Sequence, residues 1–344
     1  MNILRKLLPV SLIAAGFLTA CSPSEQAAAP AAAPATPDTP APAVVKQVAI
    51  TSFVEHPALN LVRQGVIEEL AEQGFKEGEN LKVNFQSAQG NAGTASQIAK
   101  QFVGSNPDVI IAIATPSAQA IKANTDTIPL VFSAVTDPVE AKLVPSWEAS
   151  GTNVTGVSDL LPLEPQIDLM KKVVPNLKSV GYVYSPGEVN STIVLKQLTE
   201  LLEPQGIKVV AKSAEKTVDI PNATKSLKGK ADLIYTSLDN NVVSAYESMY
   251  QAAKEVQIPL VASDTDSVPR GAVAALGVNY KEVGRETGKI AADILNGAKA
   301  GEIKPRTMEK LDLHVSPNHA KVQGIELSVD LIQSAQKVVE DAAK

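Results

Sequence analysis

Short apolar runs alternate with segments of helical period along the chain from Val45 onward. The apolar runs are rich in β-branched residues, which favours strands buried within a sheet. In the segments between them apolar residues recur three or four positions apart, as Leu59, Val62 and Val66 do ahead of Gly74. This spacing places them on one face of a helix. The alternation predicts an α/β protein whose parallel sheets are covered by helices on both faces.

These strand and helix units form two successive series. The first series has predicted strands at 48–51, 81–85, 108–114 and 129–135, and the second at 179–184, 207–211, 232–236 and 259–262. Two sets of similar units predict two doubly wound parallel-sheet lobes of comparable size.

The segment after the second series predicts how the lobes are connected. It contains a predicted strand at 272–278, a helix through Val283 and Ile290, and a late strand at 311–315. These elements must complete the two sheets, so the chain has to cross between the lobes more than once. Repeated crossovers form a hinge, and a hinge between two lobes creates a cleft that can close.

From this pattern we expect an N-terminal lobe of residues 45–157 plus 272–300. The C-terminal lobe then comprises residues 158–271 plus 301–344. The last stretch, 327–344, is predicted to be an amphipathic helix that serves packing.

The first 44 residues carry a different pattern. Arg5 and Lys6 precede an apolar run at 7–18, which is too short to span ~30 Å of hydrocarbon but suits an export signal. Residues 27–44 consist mostly of Ala and Pro, which predicts an extended spacer. Leu18-Thr19-Ala20-Cys21 resembles the lipobox of bacterial lipoproteins. That resemblance implies a signal peptide over 1–20, a lipid on Cys21 and a tether over 21–44.

Composition narrows the possible functions. The 344 residues carry 31 Lys+Arg against 37 Asp+Glu, a net charge of −6 without a basic tract, which argues against a nucleic-acid groove. One Cys and three scattered His residues exclude an internal disulfide and a His/Cys zinc site. We expect neither a metal nor a cofactor.

The candidate chemistry lies at the carboxyl ends of the predicted strands, where open α/β sheets bind ligands. Thr115-Pro116-Ser117 begins a predicted helix, and its free N–H groups and hydroxyls suit a small carboxylate. Thr136-Asp137-Pro138 is a second turn of this kind in the same lobe. Ordinary helix capping is the alternative explanation for both turns.

Acidic residues follow strands of the second series at Asp239, Asp264 and Asp266. An acid in the cleft could neutralise a ligand ammonium, so hydroxyls on one lobe and an acid on the other suit an α-amino acid. Capping of the following helices or turns is again the alternative. Phe53, Tyr184 and Tyr235 could stack on a ligand side chain, or they could belong to the core.

Two motifs suggest enzymes but fit poorly. Asp264-Thr265-Asp266-Ser267-Val268 matches the pattern of aspartate-nucleophile phosphatases, yet in that family the motif ends the first strand, whereas here it ends the last strand of the second series. The stretch 284–290 is similar to a P-loop, but its spacing is one residue short and Ile290 replaces the required Ser or Thr. We therefore predict that the protein is not an enzyme.

Five segments in order carry a resemblance to the lipoprotein substrate-binding proteins of bacterial ABC importers. They are 54–59, 114–119, 134–138, 153–159 and 262–268. They are most similar to the subfamily with the type I periplasmic-binding fold whose characterised members bind aromatic amino acids such as tryptophan, phenylalanine or tyrosine. The resemblance extends from Val45 to about Gly324.

The resemblance implies specific contacts. Thr115, Ser117 and Thr136 would bind the carboxylate and part of the ammonium. Asp264 or Asp266, with Asp239 as a further candidate, would complete the ammonium site. Glu55 and His56 would border the side-chain pocket with Phe53. The remaining candidates for ligand contact are Asp137, Tyr184 and Asn240.

The resemblance also implies a function and a place. We expect a monomer, lipid-anchored at Cys21 to a bacterial membrane and facing the periplasm or exterior. It would capture an amino acid with an aromatic or large apolar side chain and deliver it to an ABC permease. The alternatives are a receptor for a sugar, nucleoside or signalling molecule, a surface adhesin or envelope-structure module, and an aspartate-nucleophile phosphatase.

Overall fold

The computed structural model describes residues 45–340. The predicted signal peptide, Cys21 and the tether lie outside the described residues. Between residues 45 and 340, no helix combines the length and the apolar character needed to cross a membrane.

Strands and helices alternate through most of the described chain. The strands are β1 Lys46–Ser52, β2 Leu81–Ser87, β3 Val109–Ile113, β4 Leu130–Ser133, β5 Val154–Ser158, β6 Ser179–Tyr184, β7 Lys208–Ser213, β8 Leu233–Thr236, β9 Leu260–Ala262, β10 Ala274–Gly277, β11 Arg306–Thr307, β12 Asp312–Val315 and β13 Lys337–Val338. The helices are α1 Pro57–Glu72, α2 Ala92–Ser105, α3 Thr115–Lys122, α4 Leu163–Val173, α5 Val189–Leu202, α6 Ile220–Lys225, α7 Asn240–Ser244, α8 Tyr246–Val256, α9 Tyr280–Leu295, α10 Pro317–Val322 and α11 Val329–Ser334.

The strands form two sheets, one in each lobe. The first has the order β11-β5-β4-β3-β1-β2 and the second the order β13-β12-β10-β9-β8-β6-β7. All pairs are parallel except β10 with β12. Each sheet therefore contains the doubly wound order 2-1-3-4-5, whose topological switch point lies between its first and third strands. The predicted fold class, two doubly wound α/β lobes, is confirmed.

The structure differs from the predicted lobe boundaries beyond residue 271. The segment 272–278 was expected in the N-terminal lobe, but its strand β10 pairs with β9 and β12 of the second sheet. The fifth strand of the first sheet is instead β5, which the apolar pattern does not reveal. Residues 301–307 were expected in the C-terminal lobe, but β11 pairs with β5 of the first sheet.

The chain crosses between the lobes between β5 and α4, between β10 and α9, and between β11 and β12. Strands that flank these crossovers pair with one another, β11 with β5 and β12 with β10, and the crossovers form the hinge expected from the sequence. Strands β5 and β10 each end at a crossover, and apart from β12 and β13 the other strands of their sheets run parallel to them. The carboxyl ends of both sheets therefore face the space between the lobes.

Glycines bring α9 into direct backbone contact with α1 in the first lobe. A Cβ on Gly284 would overlap the carbonyl oxygen of Val62, and one on Gly65 would overlap the carbonyl oxygen of Lys281. Gly288 continues this contact beside Glu69. The glycines of the P-loop-like stretch 284–290 are thus explained by helix packing.

The predicted helix over 327–344 is wrong for residues 335–340, and residues 341–344 lie outside the described residues. Helix α11 ends at Ser334, and β13 then pairs in parallel with β12. The N–H groups of Gln336 and Val339 donate to the carbonyls of Leu313 (2.9 Å) and Val315 (2.8 Å). Strand β12 would otherwise be a sheet edge with unpaired backbone groups, and satisfying them outweighs the helical pattern.

Candidate functional site

A cavity between the lobes lies at the carboxyl ends of both sheets. The space between the atoms there is about 330 Å³. Its wall is formed by His56, Ala58, Leu59, Ala114, Thr115, Ala134, Thr136, Asp159, Asn190, Leu238, Asn240, Val243, Asp264 and Tyr280. Except for Leu238, these residues are buried. Because both lobes contribute to one enclosed wall, the structure is closed.

The first lobe contributes a helix N-terminus to this wall. Thr115 begins α3, whose first-turn N–H groups have no intrahelical acceptor. The positive end of the helix dipole makes such a terminus a receptor for a carboxylate. Ser117 is buried in the same turn, and its Oγ has no hydrogen-bond partner within the described chain. Thr136, after β4, adds a second hydroxyl to the wall.

Two alanines in strained conformations lead into these turns. Ala114 has φ +74° and ψ 152°, and Ala134 has φ +51°. Both values lie in regions that favour glycine, at a cost on the order of 1–3 kcal/mol each. They end the neighbouring strands β3 and β4 at the cavity, and Ala114 N–H donates to the carbonyl of Ser133 (2.9 Å). Strain of this kind is typical of binding sites.

Two buried carboxylates face the cavity near the hinge. Tyr280 donates its hydroxyl to Asp159 Oδ2 (3.0 Å), and Ser267 donates to Asp264 Oδ2 (2.6 Å). The Oδ1 atom of each aspartate is buried without a partner among residues 45–340. Burial raises the pKa of each carboxyl to about 6, and the negative charge of Asp264 contributes to the rise at Asp159. A ligand ammonium between them would compensate both charges.

The second lobe contributes Asn190 and Asn240 to the cavity wall, and both donate hydrogen bonds to the buried carboxylate of Glu188. Its Oε2 accepts hydrogen bonds from Nδ2 of Asn190 (3.0 Å), and from the backbone N–H (3.0 Å) and Nδ2 (2.6 Å) of Asn240. Its Oε1 accepts from the N–H of Asn241 (3.2 Å). Burial, followed by the charge of Asp239, raises the pKa of the Glu188 carboxyl. Glu188 therefore acts as a scaffold for this wall.

His56 contributes a neutral imidazole from the first lobe. Burial, together with the positive charge of Arg270, lowers the pKa of its ring to about 3. Its Nδ1 is buried and has no partner in the part of the chain that the structure describes. Next to it, Ala58 and Leu59 of α1 oppose Leu238 and Val243 and give the cavity an apolar section.

The structure brings together five of the predicted site residues. His56, Thr115, Thr136, Asn240 and Asp264 all line the cavity. In each case a recognised strand ends just before the residue, so the rule that ligands lie at the carboxyl ends of strands locates them.

The other predicted residues lie outside the cavity wall. Asp239 caps α7 by accepting from the N–H of Val242 (3.0 Å), and it also binds the N–H (2.6 Å) and hydroxyl (2.9 Å) of Ser185. Asp137 accepts from the N–H groups of Val139 and Glu140, both at 3.0 Å. Asp239 and Asp137 therefore cap a helix and a turn, which was the alternative explanation for these residues.

The remaining candidates have other surroundings. Glu55 is exposed and accepts from Gln89 (3.1 Å). Phe53 lines a separate groove at the mouth of the cleft. Tyr184 packs against Tyr182 with ring centroids 6.2 Å apart. Asp266 lies near His314 and Lys337, whose charges partly oppose the rise of its pKa on burial.

Sequence reasoning missed Asp159, Asn190 and Tyr280 as site residues. Asp159 directly follows β5, so recognition of that strand would have identified it. Asn190 lies in the first turn of α5, after β6, among several polar residues of equal standing in the sequence. Tyr280 begins α9 at a crossover, and no local pattern indicates that its hydroxyl reaches Asp159.

The lobes also touch at the mouth of the cleft. A Cβ on Gly90, in the loop before α2, would lie 3.3 Å from Oδ1 of Asn241 on α7. Phe53, Gly90 and Pro116 of the first lobe there face the loop 185–188 of the second. These contacts place the loops after β1, β2 and β3 opposite those after β6 and β8.

Comparisons with known proteins match nearly the whole described chain. A family model described as "ABC transporter substrate binding protein" matches residues 47–339. A tyrosine-binding protein of Clostridioides difficile is 37% identical over 289 residues, which are 84% of this chain and 84% of the relative.

Two solved structures are informative about conformation. A protein of Streptococcus pneumoniae in complex with L-Trp is 29% identical, with a TM-score of 0.82 over 86% of this chain and 100% of the other. A substrate-binding protein with adhesive properties from Clostridium difficile, in its ligand-free open structure, is 37% identical but has a TM-score of only 0.65, over 86% and 99%. Of these two neighbours, the ligand-bound one is more similar in shape although it is less identical in sequence, in agreement with closed lobes here.

Proposed function

Because this chain belongs to the family of ABC transporter substrate-binding proteins and has the type I periplasmic-binding fold, we propose that it binds an aromatic amino acid between its lobes. It then delivers this ligand to an ABC permease. The single observation that carries the proposal is the cavity that combines a helix N-terminus, two buried carboxylates with unpartnered oxygens and an apolar section.

The parts of the cavity match the parts of an α-amino acid. The N-terminus of α3, with the hydroxyls of Thr115 and Thr136, receives the carboxylate. Asp159 and Asp264 receive the ammonium, whose positive charge offsets the cost of their burial. The side chain lies against Leu59, Leu238 and Val243. The tyrosine-binding relative and the L-Trp complex support an aromatic side chain.

Closure couples binding to transport. Thr115 belongs to the first lobe and Asp264 to the second, so one ligand contacts both lobes only when they are closed. The ligand therefore stabilises the closed state by its additional contacts there. Recognition of that state by a permease would distinguish loaded from empty protein.

The cavity does not favour a phosphatase. Asp264 belongs to its wall, but Asp266 does not, and the wall within the described chain contains no Lys or Arg to bind a phosphate. Thr265–Ser267 forms a short helical turn in which Ser267 donates to Asp264. A sugar receptor is also less favoured, because a neutral ligand would leave both carboxylates uncompensated.

A thermal-shift panel of the twenty amino acids, with native mass spectrometry of the purified protein, tests the proposal. We expect L-Tyr, L-Trp or L-Phe to raise the Tm. Tyramine lacks the carboxylate and N-acetyl-L-tyrosine lacks the ammonium, so neither should match the parent amino acid. If no amino acid raised the Tm and none co-purified, the proposal would be overturned.

Proteins of this family work outside the cytoplasm, and we propose that this one is a monomer held at a membrane by a lipid on Cys21. The support is the apolar run 7–18 followed by the only Cys of the chain. The protein should fractionate with membranes, and Cys21→Ala should lose the attached lipid in mass spectra. An unmodified Cys21 in the membrane-associated protein would refute the anchor.

A further inference from the structure

Two polar atoms without a hydrogen-bond partner among residues 45–340 lie in the part of the cavity far from the carboxylates. They are Nδ1 of His56 in the first lobe and Oδ1 of Asn190 in the second, and both residues are more than nine-tenths buried, at 8% and 3% exposure. Burying a polar group without a hydrogen bond is unfavourable. This pair therefore indicates a polar group of the ligand.

Sheet topology separates the pair from the acids. Asp159 follows β5 and His56 follows β1, with β4 and β3 between these strands in the first sheet. Asp264 follows β9 and Asn190 follows β6, with β8 between them in the second. Since neighbouring strands lie about 4.8 Å apart, these strands are separated by about 14 Å in the first sheet and about 10 Å in the second, a span that accommodates an extended aromatic amino acid.

The loops that carry the pair face each other across the cleft, as the contacts at its mouth show. Ala58 and Leu59 of the apolar section belong to the same helix start as His56, and Leu238 accepts from Nδ2 of Asn190 through its carbonyl (3.0 Å). A ligand whose ammonium lies between the acids therefore directs its side chain toward His56 and Asn190. The inference rests on the proposed function in this respect.

The orientation of the Asn190 amide is fixed by its surroundings. Its Nδ2 donates to Oε2 of Glu188 and to the carbonyl of Leu238, both at 3.0 Å. Turning the amide over would place its oxygen against two acceptors, so only Oδ1 remains for the ligand. A ligand group that contacts Asn190 must therefore be a hydrogen-bond donor.

His56 complements this demand. As a neutral imidazole it carries a proton on one ring nitrogen, and the Nδ1–H tautomer donates. We propose that His56 and Asn190 form a hydroxyl subsite that selects an amino acid with a hydroxylated aromatic side chain, of the tyrosine type. A hydroxyl donates to Asn190 and accepts from His56 at once, whereas a phenyl ring does neither and an indole N–H can only donate.

Isothermal titration of the ligand-free protein, prepared by unfolding, dialysis and refolding, with L-Tyr, L-Phe, L-Trp and O-methyl-L-tyrosine tests the subsite. L-Phe should bind about 10-fold or more weaker than L-Tyr, because it leaves both atoms unpaired. O-methyl-L-tyrosine keeps the acceptor but loses the donor, and it should also bind weaker than L-Tyr.

Variants assign the effect to the pair. Asn190→Leu should weaken L-Tyr binding about 10-fold and leave L-Phe binding nearly unchanged, so that the preference largely disappears. Asn60→Leu, on the exposed side of α1, is the matched control and should keep the preference. If Asn190→Leu does not fold, His56→Phe removes the ring nitrogens and should lower the preference in the same direction.

The outcomes separate this inference from the proposed function. Equal binding of L-Tyr and L-Phe, or tighter binding of L-Trp than of L-Tyr, would overturn the hydroxyl subsite and leave the amino-acid receptor standing. Retention of the full L-Tyr preference by a folded Asn190→Leu protein would also overturn it. Binding of no aromatic amino acid would refute the proposed function itself.

Discussion

Asp159 and Asp264 lower the stability of the folded protein at neutral pH when no cation faces them. Each has a folded-state pKa of about 6 against an ordinary value of 3.8. The unfolded chain therefore loses these protons at lower pH than the folded protein, and each ionised carboxyl reduces stability at neutral pH by up to about 3 kcal/mol. Binding sites commonly trade stability for function in this way.

Asp264→Asn should therefore stabilise the ligand-free protein at pH 7 and weaken amino-acid binding at least 10-fold, because it removes a buried charge from the ammonium site. Asp266→Asn, outside the cavity wall, is the matched control and should retain affinity. Thermal unfolding and titration calorimetry measure the two effects. Unchanged ligand affinity in Asp264→Asn would show that another group binds the ammonium.

The same two residues predict a pH dependence. As the pH rises from about 4 through 6, the ligand-free protein loses the stability associated with protonated Asp159 and Asp264, while the ionised forms gain attraction for an ammonium. The Tm increase produced by L-Tyr should thus be larger at pH 7.5 than at pH 4.5. The double variant Asp159→Asn, Asp264→Asn should lose this difference, and a wild-type shift independent of pH would contradict the assignment.

At the scale of elements, the sequence predicts those strands whose interiors are apolar. The residues of β3, Val-Ile-Ile-Ala-Ile, are all buried and easily recognised. Strand β5 is buried as fully but reads Val-Thr-Gly-Val-Ser, and its polar residues hide it. Thr155 donates to the carbonyl of Ile303 (2.9 Å) and Ser158 to that of Thr136 (2.9 Å). Such long-range partners cannot be seen in a linear pattern.

The residues of the candidate site also divide into those that a local sequence pattern identifies and those that depend on distant partners. Asp239 and Asp264 both follow a strand, and the sequence does not distinguish them. Asp239 binds Ser185, 54 residues away, and lies outside the cavity wall, whereas Oδ1 of Asp264 has no partner within the described part of the chain. Asp159 and Tyr280 could not be predicted because a missed strand and a crossover position them.

The close contact of α1 with α9 predicts the effect of a single methyl group. Gly284→Ala should destabilise the protein by about 1–3 kcal/mol or more, because its Cβ overlaps the backbone of Val62. Gly104→Ala, in α2 with no atom within 4 Å of its Cβ, is the control and should stabilise slightly through helix propensity. Urea unfolding compares the two. Equal stability of both variants would mean that the helices can move apart at no cost.

At the scale of the whole molecule, closure brings the loops of the two lobes into contact without involving the ligand. Gly90 has φ +73°, and its Cβ position lies 3.3 Å from Oδ1 of Asn241. A large side chain there would hold the lobes apart while every residue of the cavity wall stayed in place.

Gly90→Leu should therefore weaken ligand binding and increase the radius of gyration measured by small-angle X-ray scattering in the presence of L-Tyr. Gly151→Leu is the control, because Gly151 has a similar φ of +65° but open space around its Cβ. It carries the same backbone strain and should still close. Normal affinity in Gly90→Leu would show that the lobes need not meet at this point.

The burial of the cavity wall has a kinetic consequence. Because the lining residues are buried except for Leu238, we expect a bound molecule to leave by separation of the lobes, and its dissociation rate then cannot exceed their rate of opening. Tight retention then requires only slow opening, even where the contacts themselves are modest. A sample purified from cells should therefore carry its ligand through chromatography, and preparing empty protein should require unfolding, dialysis and refolding.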